Sequence, residues 1–144
     1  MLRGIPSILS PELLKILMEM GHGDEIVLGD GNFPAASCAA RLVRCDGHGV
    51  PEVLAAILRL MPLDYAAETT AALMAVGPGN AEAPPVWDTY RSIIGKYDEA
   101  GRDFELIERF AFYERAKRAY AIVATGERAR FANIILKKGI VVDE

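Results

Sequence analysis

The chain predicts an α/β fold in which helices cover a largely buried sheet. Two observations lead there. Short apolar runs, Ile26 to Leu28, Thr69 to Val76, Tyr120 to Ala124 and Asn133 to Leu136, alternate with longer segments whose apolar residues recur at helical spacing. Within the runs apolar residues follow one another instead of alternating with polar ones, as in strands buried on both faces, so helices must pack on the sheet. The 144 residues hold no internal repeat, low-complexity stretch or dividing linker, which predicts one domain over residues 1–144.

Taken in order, Ser10-Pro11-Glu12 starts a helix: Ser10 can cap free amides and Pro11 suits the first helical position. Leu13, Leu14, Leu17 and Met20 keep one face apolar, and Gly21 ends it. The Ile26–Leu28 strand follows, then a Gly29–Pro34 loop, then a strand over Arg41 to Cys45. After the turn Asp46-Gly47-His48-Gly49, Val50-Pro51-Glu52 opens a second helix that Pro62 stops. Thr69 to Val76 is the next strand, bounded by Gly77-Pro78-Gly79. Pro84-Pro85 starts a third helix reaching about Glu99, with Trp87, Tyr90, Ile94 and Tyr97 inward. Glu108 to Arg118 is a fourth helix. Strands at Tyr120–Ala124 and Asn133–Leu136 precede a Lys137-Lys138-Gly139 turn and the closing Ile140-Val141-Val142.

Composition narrows the function. Hydrophobic residues make up 51% of the chain, and with glycine added the apolar share exceeds the roughly 45–50% of ordinary soluble domains. An oligomer interface is the simplest use for that surplus. No apolar run approaches the ~20 residues of a membrane span, and Pro6, Glu12 and Lys15 interrupt anything resembling a signal peptide. A cytoplasmic protein is expected. Cys38 and Cys45 have no CxxC spacing and read as buried free thiols. The net charge of -4 argues against nucleic acid, although Arg109 to Lys138 is a basic stretch.

No glycine-rich phosphate loop is present, and His22 and His48 lack the spacing of a zinc site. Neither a metal nor a cofactor is expected. General acid–base chemistry by His, Asp, Tyr or Arg is what the side chains leave. The stretch Gly21 to Pro34 sets His22 and Asp30 at either end of one short strand, in loops where glycine lets a ligand come close. Eight residues at ~3.3 Å each approach about 26 Å, too far for one small ligand to bridge. Either the flanks fold inward or two subunits share the pocket.

Several separated blocks then agree. Ser10-Pro11-Glu12-Leu13-Leu14, Met20-Gly21-His22-Gly23-Asp24-Glu25, Asp30 and Asn32-Phe33-Pro34 resemble the N-terminal half of the ribose pyranase and fucose mutarotase family. Arg109-Phe110-Ala111-Phe112-Tyr113-Glu114-Arg115-Ala116, Ala124-Thr125-Gly126-Glu127-Arg128 and Leu136-Lys137-Lys138-Gly139 are similar to its fucose mutarotase branch. The resemblance implies a three-layer α/β/α sandwich with a mixed sheet, a ring-like homo-oligomer of ten copies, and interconversion of the α and β anomers of a free monosaccharide, L-fucose in particular. Ribose pyranase-like activity on another sugar, or sugar binding without turnover, are the alternatives. By position, His22 is the implied proton-transfer residue, and Asp30 and Arg109 the implied holders of substrate hydroxyls. The family's Tyr-Gly-Asn substrate motif falls on Phe131-Ala132-Asn133, where the asparagine is kept and the phenol is lost. Tyr113 and Tyr120 are the phenols left to replace it.

An imidazole with an ordinary pKa near 6.5 can both take and give protons near neutrality. Mutarotation already proceeds in water, so acid–base help of about 10²–10⁴-fold and good positioning suffice.

Overall fold

The computed structural model describes residues 1–78, 82–98 and 100–143. Its elements are α1 (Pro11–Glu19), β1 (Glu25–Gly29), α2 (Ala35–Cys38), β2 (Leu42–Cys45), α3 (Val50–Leu58), β3 (Ala72–Met74), α4 (Pro85–Ile94), β4 (Glu105–Ile107), α5 (Arg109–Arg118), β5 (Ala121–Thr125) and β6 (Ile134–Lys137). Among the described residues six strands form one sheet in the order β2-β5-β1-β6-β3-β4. β1, β2 and β5 run parallel, as do β3 and β4, and β6 pairs antiparallel with both β1 and β3. Strands β1 to β5 therefore all point one way, and their carboxyl ends share one edge.

The sheet is buried on both sides, because successive side chains leave a strand in opposite directions. Ile26 and Leu28 join one core and Val27 the other; on β6, Ile134 and Leu136 face opposite to Ile135. The first core packs under α1, α3 and α4 through residues such as Leu13, Leu54, Ile57 and Tyr90. The second packs under α2 and α5 through Phe33, Ala35, Phe112 and Ala116. The mixed sheet between two helical layers agrees with the α/β sandwich expected from the sequence.

Local chemistry fixes the helix ends. The Leu13 amide donates to Ser10 Oγ at 3.1 Å, as the Ser-Pro-Glu start predicts. At the far end of α1, Lys138 Nζ donates to the carbonyls of Leu17 and Met20, meeting the negative end of the helix dipole. Glu108 caps α5 by accepting from the amides of Phe110 and Ala111 at 2.9 and 3.0 Å. Arg115 on α5 reaches across to Glu25 and Glu105, tying that helix to the starts of β1 and β4. No helix among the described residues is long and apolar enough to cross a membrane.

Some boundaries differ from the sequence expectation. The Thr69–Val76 run contributes only Ala72–Met74 as strand, because β3 pairs with β6 and β4 over that short register. The third helix stops at Ile94, and its expected end, Glu99, lies outside the described residues, as does Gly79. Trp87, Tyr90 and Ile94 are buried, but Tyr97 lies past the last helical turn and is exposed. Strand β4 and the single turn α2 were not anticipated. Ile140–Val142 follow β6 without joining the sheet, and Val141 and Val142 are exposed.

Candidate active site

A cavity of about 640 Å³ opens where the carboxyl ends of β1, β3 and β4 meet the start of β6. Crevices at this edge of an open α/β sheet, where strand order switches, are the usual ligand sites. Asp30, Phe33, Arg109, Tyr113, Phe131 and Asn133 line it.

Asp30 follows the last residue of β1 and is 7% exposed. Its carboxylate accepts from the Asn32 amide at 3.0 Å, an Asx turn that holds the side chain against its own loop. Burial pushes this carboxyl up, more than the amides of Asn32, Ala132 and Phe33 pull it down, and the negative Glu127 adds to the rise. The Asp30 backbone amide donates to Asn133 Oδ1 at 2.8 Å. That bond orients the Asn133 side chain and leaves its amide nitrogen as a donor.

Arg109 is the first residue of α5, at the positive end of that helix. Its Nε donates to the Tyr113 hydroxyl at 3.1 Å, and its guanidinium lies 5.4 and 5.6 Å from the ring centres of Phe110 and Tyr113. Helical i,i+4 spacing brings Arg109 and Tyr113 together. Tyr113 in turn packs on Phe33, 5.7 Å between ring centres. Because the phenol oxygen accepts from arginine, its own proton is free to donate into the cavity.

Phe131 lines the cavity with its backbone at φ +53°, in the left-handed region. Ala132 lies behind it, wholly buried, and contributes backbone rather than surface. Five of the six residues singled out from the sequence thus meet at one edge of the sheet.

His22 does not join them within one chain. It sits in the loop between α1 and β1, at the amino edge of the sheet, and the five residues of β1 span roughly 16 Å at ~3.3 Å each. There its Nε2 lies 3.3 Å from Asp64 Oδ1, with the imidazole about half exposed and the carboxylate largely covered. Burial alone would raise the Asp64 carboxyl, but the Ala66 amide, His22 and Lys137 together hold it below the usual range. A carboxylate against Nε2 fixes the ring and leaves Nδ1 outward. Tyr120 belongs to the same edge, its hydroxyl 3.1 Å from Glu19 and its ring under the Arg41 guanidinium. Of the two phenols left open by the sequence, Tyr113 is the one in the cavity.

Asp64 escaped the sequence reading because nothing in Pro62-Leu63-Asp64 marks it; only the pairing of Leu63 with Lys138 brings it to His22. Trp87 and Tyr90 were legible as core aromatics, but their polar ends were not.

The comparisons with known proteins fit this geometry. The sequence profile of the RbsD / FucU transport protein family matches residues 3–141. The human protein named fucose mutarotase is 51% identical over 97% of this chain and 94% of its own length. The crystal structure of the fucose mutarotase of Streptococcus pneumoniae in complex with L-fucose superposes with a TM-score of 0.91, at 54% identity over 98% of this chain and all of that one. FucU from Bifidobacterium longum superposes at 0.94, with 53% identity, covering 97% of this chain and all of the other. With a matching profile along nearly its whole length and relatives above half identical, the chain belongs to the RbsD / FucU family.

Proposed function

We propose that this protein is a cofactor-independent aldose mutarotase that interconverts the α and β anomers of L-fucose. The observation that supports it most is the grouping of Asp30, Arg109, Tyr113 and Asn133 around one cavity, in a chain that matches a fucose mutarotase solved with L-fucose over 98% of its length. A carboxylate that accepts, and a guanidinium, a phenol and an amide that donate, suit the alternating hydroxyls of a pyranose. Phe33, Met74 and Phe131 add apolar wall for a C–H face.

Opening the hemiacetal needs a base to take the proton from the anomeric hydroxyl and an acid to give one to the ring oxygen. Rotation about C1–C2 and the reverse transfers then close the ring with the other configuration. Our reading assigns this proton transfer to His22, oriented by Asp64. Since His22 and Asp30 occupy opposite edges of the sheet, the pocket is completed by His22 of the partner subunit in a ring-like homo-oligomer of ten copies. Exposed Tyr65, near Asp64, and Phe110, beside Arg109, give the two edges apolar surface for that contact. Free Cys38 and Cys45 agree with a cytoplasmic enzyme.

Saturation-transfer NMR on equilibrated L-fucose tests the proposal. The protein should carry magnetisation between the anomer signals faster than the spontaneous exchange. Binding without such transfer would make it a sugar-binding module, and transfer on D-ribose alone would move its substrate.

Asp30 accepts from sugar hydroxyls most strongly as the ionised carboxylate, and its carboxyl is raised above the ordinary 3.8. The acid limb of kcat/KM is therefore expected at a pH above 3.8. Stability runs the other way. The folded chain binds this proton more readily than the unfolded one. The stabilising contribution is thus complete below 3.8 and lost as pH rises through the raised folded value. Activity profiles and urea unfolding over the same pH window check both signs; an acid limb at or below 3.8 contradicts the role given to Asp30.

A further inference from the structure

Two hydrogen bonds run from the helical layer behind the sheet to the loop that walls the cavity. Trp87 Nε1 donates to the carbonyl of Phe131 at 2.8 Å, and the Tyr90 hydroxyl donates to the carbonyl of Ala132 at 2.6 Å. The donors lie three residues apart on one face of α4, and both side chains are buried, Tyr90 completely. Neither lines the cavity.

Their acceptors belong to the most strained backbone in the described chain. Phe131 is its one non-glycine residue with positive φ, a conformation that costs a residue with a side chain on the order of 1–2 kcal/mol. Such strain persists where the surroundings over-determine it, and here a donor fixes the carbonyl of Phe131 and another fixes the next. The held segment is the one that touches Asp30. Asn133 Oδ1 accepts from the Asp30 backbone amide. A rotation of the Phe131–Ala132 peptide would move the Phe131 wall, the Asn133 donor and the Asp30 acceptor together.

Packing alone does not explain the polar ends. Phenylalanine would fill the Tyr90 site with nearly the same volume, and a hydroxyl taken from water is tolerated there because the Ala132 carbonyl receives it. We propose that Trp87 and Tyr90 are positioning residues for the sugar site: they pin the left-handed turn at Phe131 and so set where Asp30 and Asn133 meet the substrate. The inference rests on reading the cavity as the L-fucose site.

Tyr90→Phe keeps the ring and removes the donor. KM for L-fucose is expected to rise roughly three- to tenfold, with kcat changed by less than about twofold. A merely structural role would lower the folded, active fraction, reducing apparent kcat and leaving KM alone. A second arm uses Phe131→Gly, since glycine takes positive φ without strain. In that background Tyr90→Phe should change KM by less than about twofold, a non-additivity expected when two sites share one backbone turn. An unchanged KM in folded Tyr90→Phe, or the same KM factor in both backgrounds, overturns the proposal. Should Phe131→Gly not fold, the crystal structure of Tyr90→Phe decides. Phe131 leaves the left-handed region if the proposal holds and stays there if it does not. Failure of the sugar-site reading looks different, since the unaltered protein would then neither bind nor exchange L-fucose.

Discussion

Replacing His22 with alanine is expected to slow L-fucose anomer exchange by about 10²–10⁴-fold, the contribution of a positioned general acid–base group. Stability should barely change, within about 0.5 kcal/mol, because the imidazole is half exposed and its partner Asp64 keeps the Ala66 amide. Asp30→Ala should be comparably inactive for a different reason, the loss of the acceptor that holds the ring. The informative experiment mixes the two inactive variants during assembly. If each pocket takes its imidazole from one subunit and its carboxylate from the next, random mixing at equal amounts leaves about a quarter of the pockets with both groups intact. Recovery to roughly that fraction of normal activity is the expected result. No recovery would mean that both groups act from one chain, against a separation of about 16 Å along β1.

How far the sequence reached depended on which forces decide each feature. The central strands and α1 were legible because burial on both faces writes continuous apolar runs, and because Ser10 and Pro11 punctuate the helix start locally. β4 was not, since Glu105-Leu106-Ile107 is a mostly exposed edge strand that exists through pairing with β3. Asp30 and Arg109 could be named by residue type and family pattern. Their meeting, 79 positions apart, follows from β1 and β4 ending at the same edge. The distance between His22 and Asp30 was legible as arithmetic, because a strand cannot bring its two ends together. The partners of Tyr90 and Trp87 were invisible: their carbonyls lie 42 and 44 residues away, and no local pattern records a long-range bond to backbone.

Gly126 shows the same limit, and it yields the second large effect. It reads as a turn glycine, yet it is not among the glycines of positive φ. What excludes a side chain is proximity. A methyl group there would sit 2.1 Å from the carbonyl oxygen of Asp46, where the ends of β5 and β2 lie side by side and the Gly126 amide donates to the His48 carbonyl at 2.9 Å. Backbone on both sides leaves no flexible side chain to yield. Gly126→Ala is therefore expected to cost about 3 kcal/mol, the upper part of the overpacking range, and to lower Tm by roughly 10 °C in a chain of this size. Gly47→Ala is the control: that methyl would meet nothing within 4 Å, so Tm should stay within about 2 °C. The damage should also reach the sugar. The next residue, Glu127, accepts the Gly31 amide through its carbonyl at 2.8 Å and the Val50 amide through its carboxylate at 3.3 Å. Displacing Gly126 thus pulls on the loop directly after Asp30. In whatever fraction of Gly126→Ala stays folded, KM for L-fucose should rise, whereas a stable variant with unaltered KM would show that the two strand ends part without disturbing that loop.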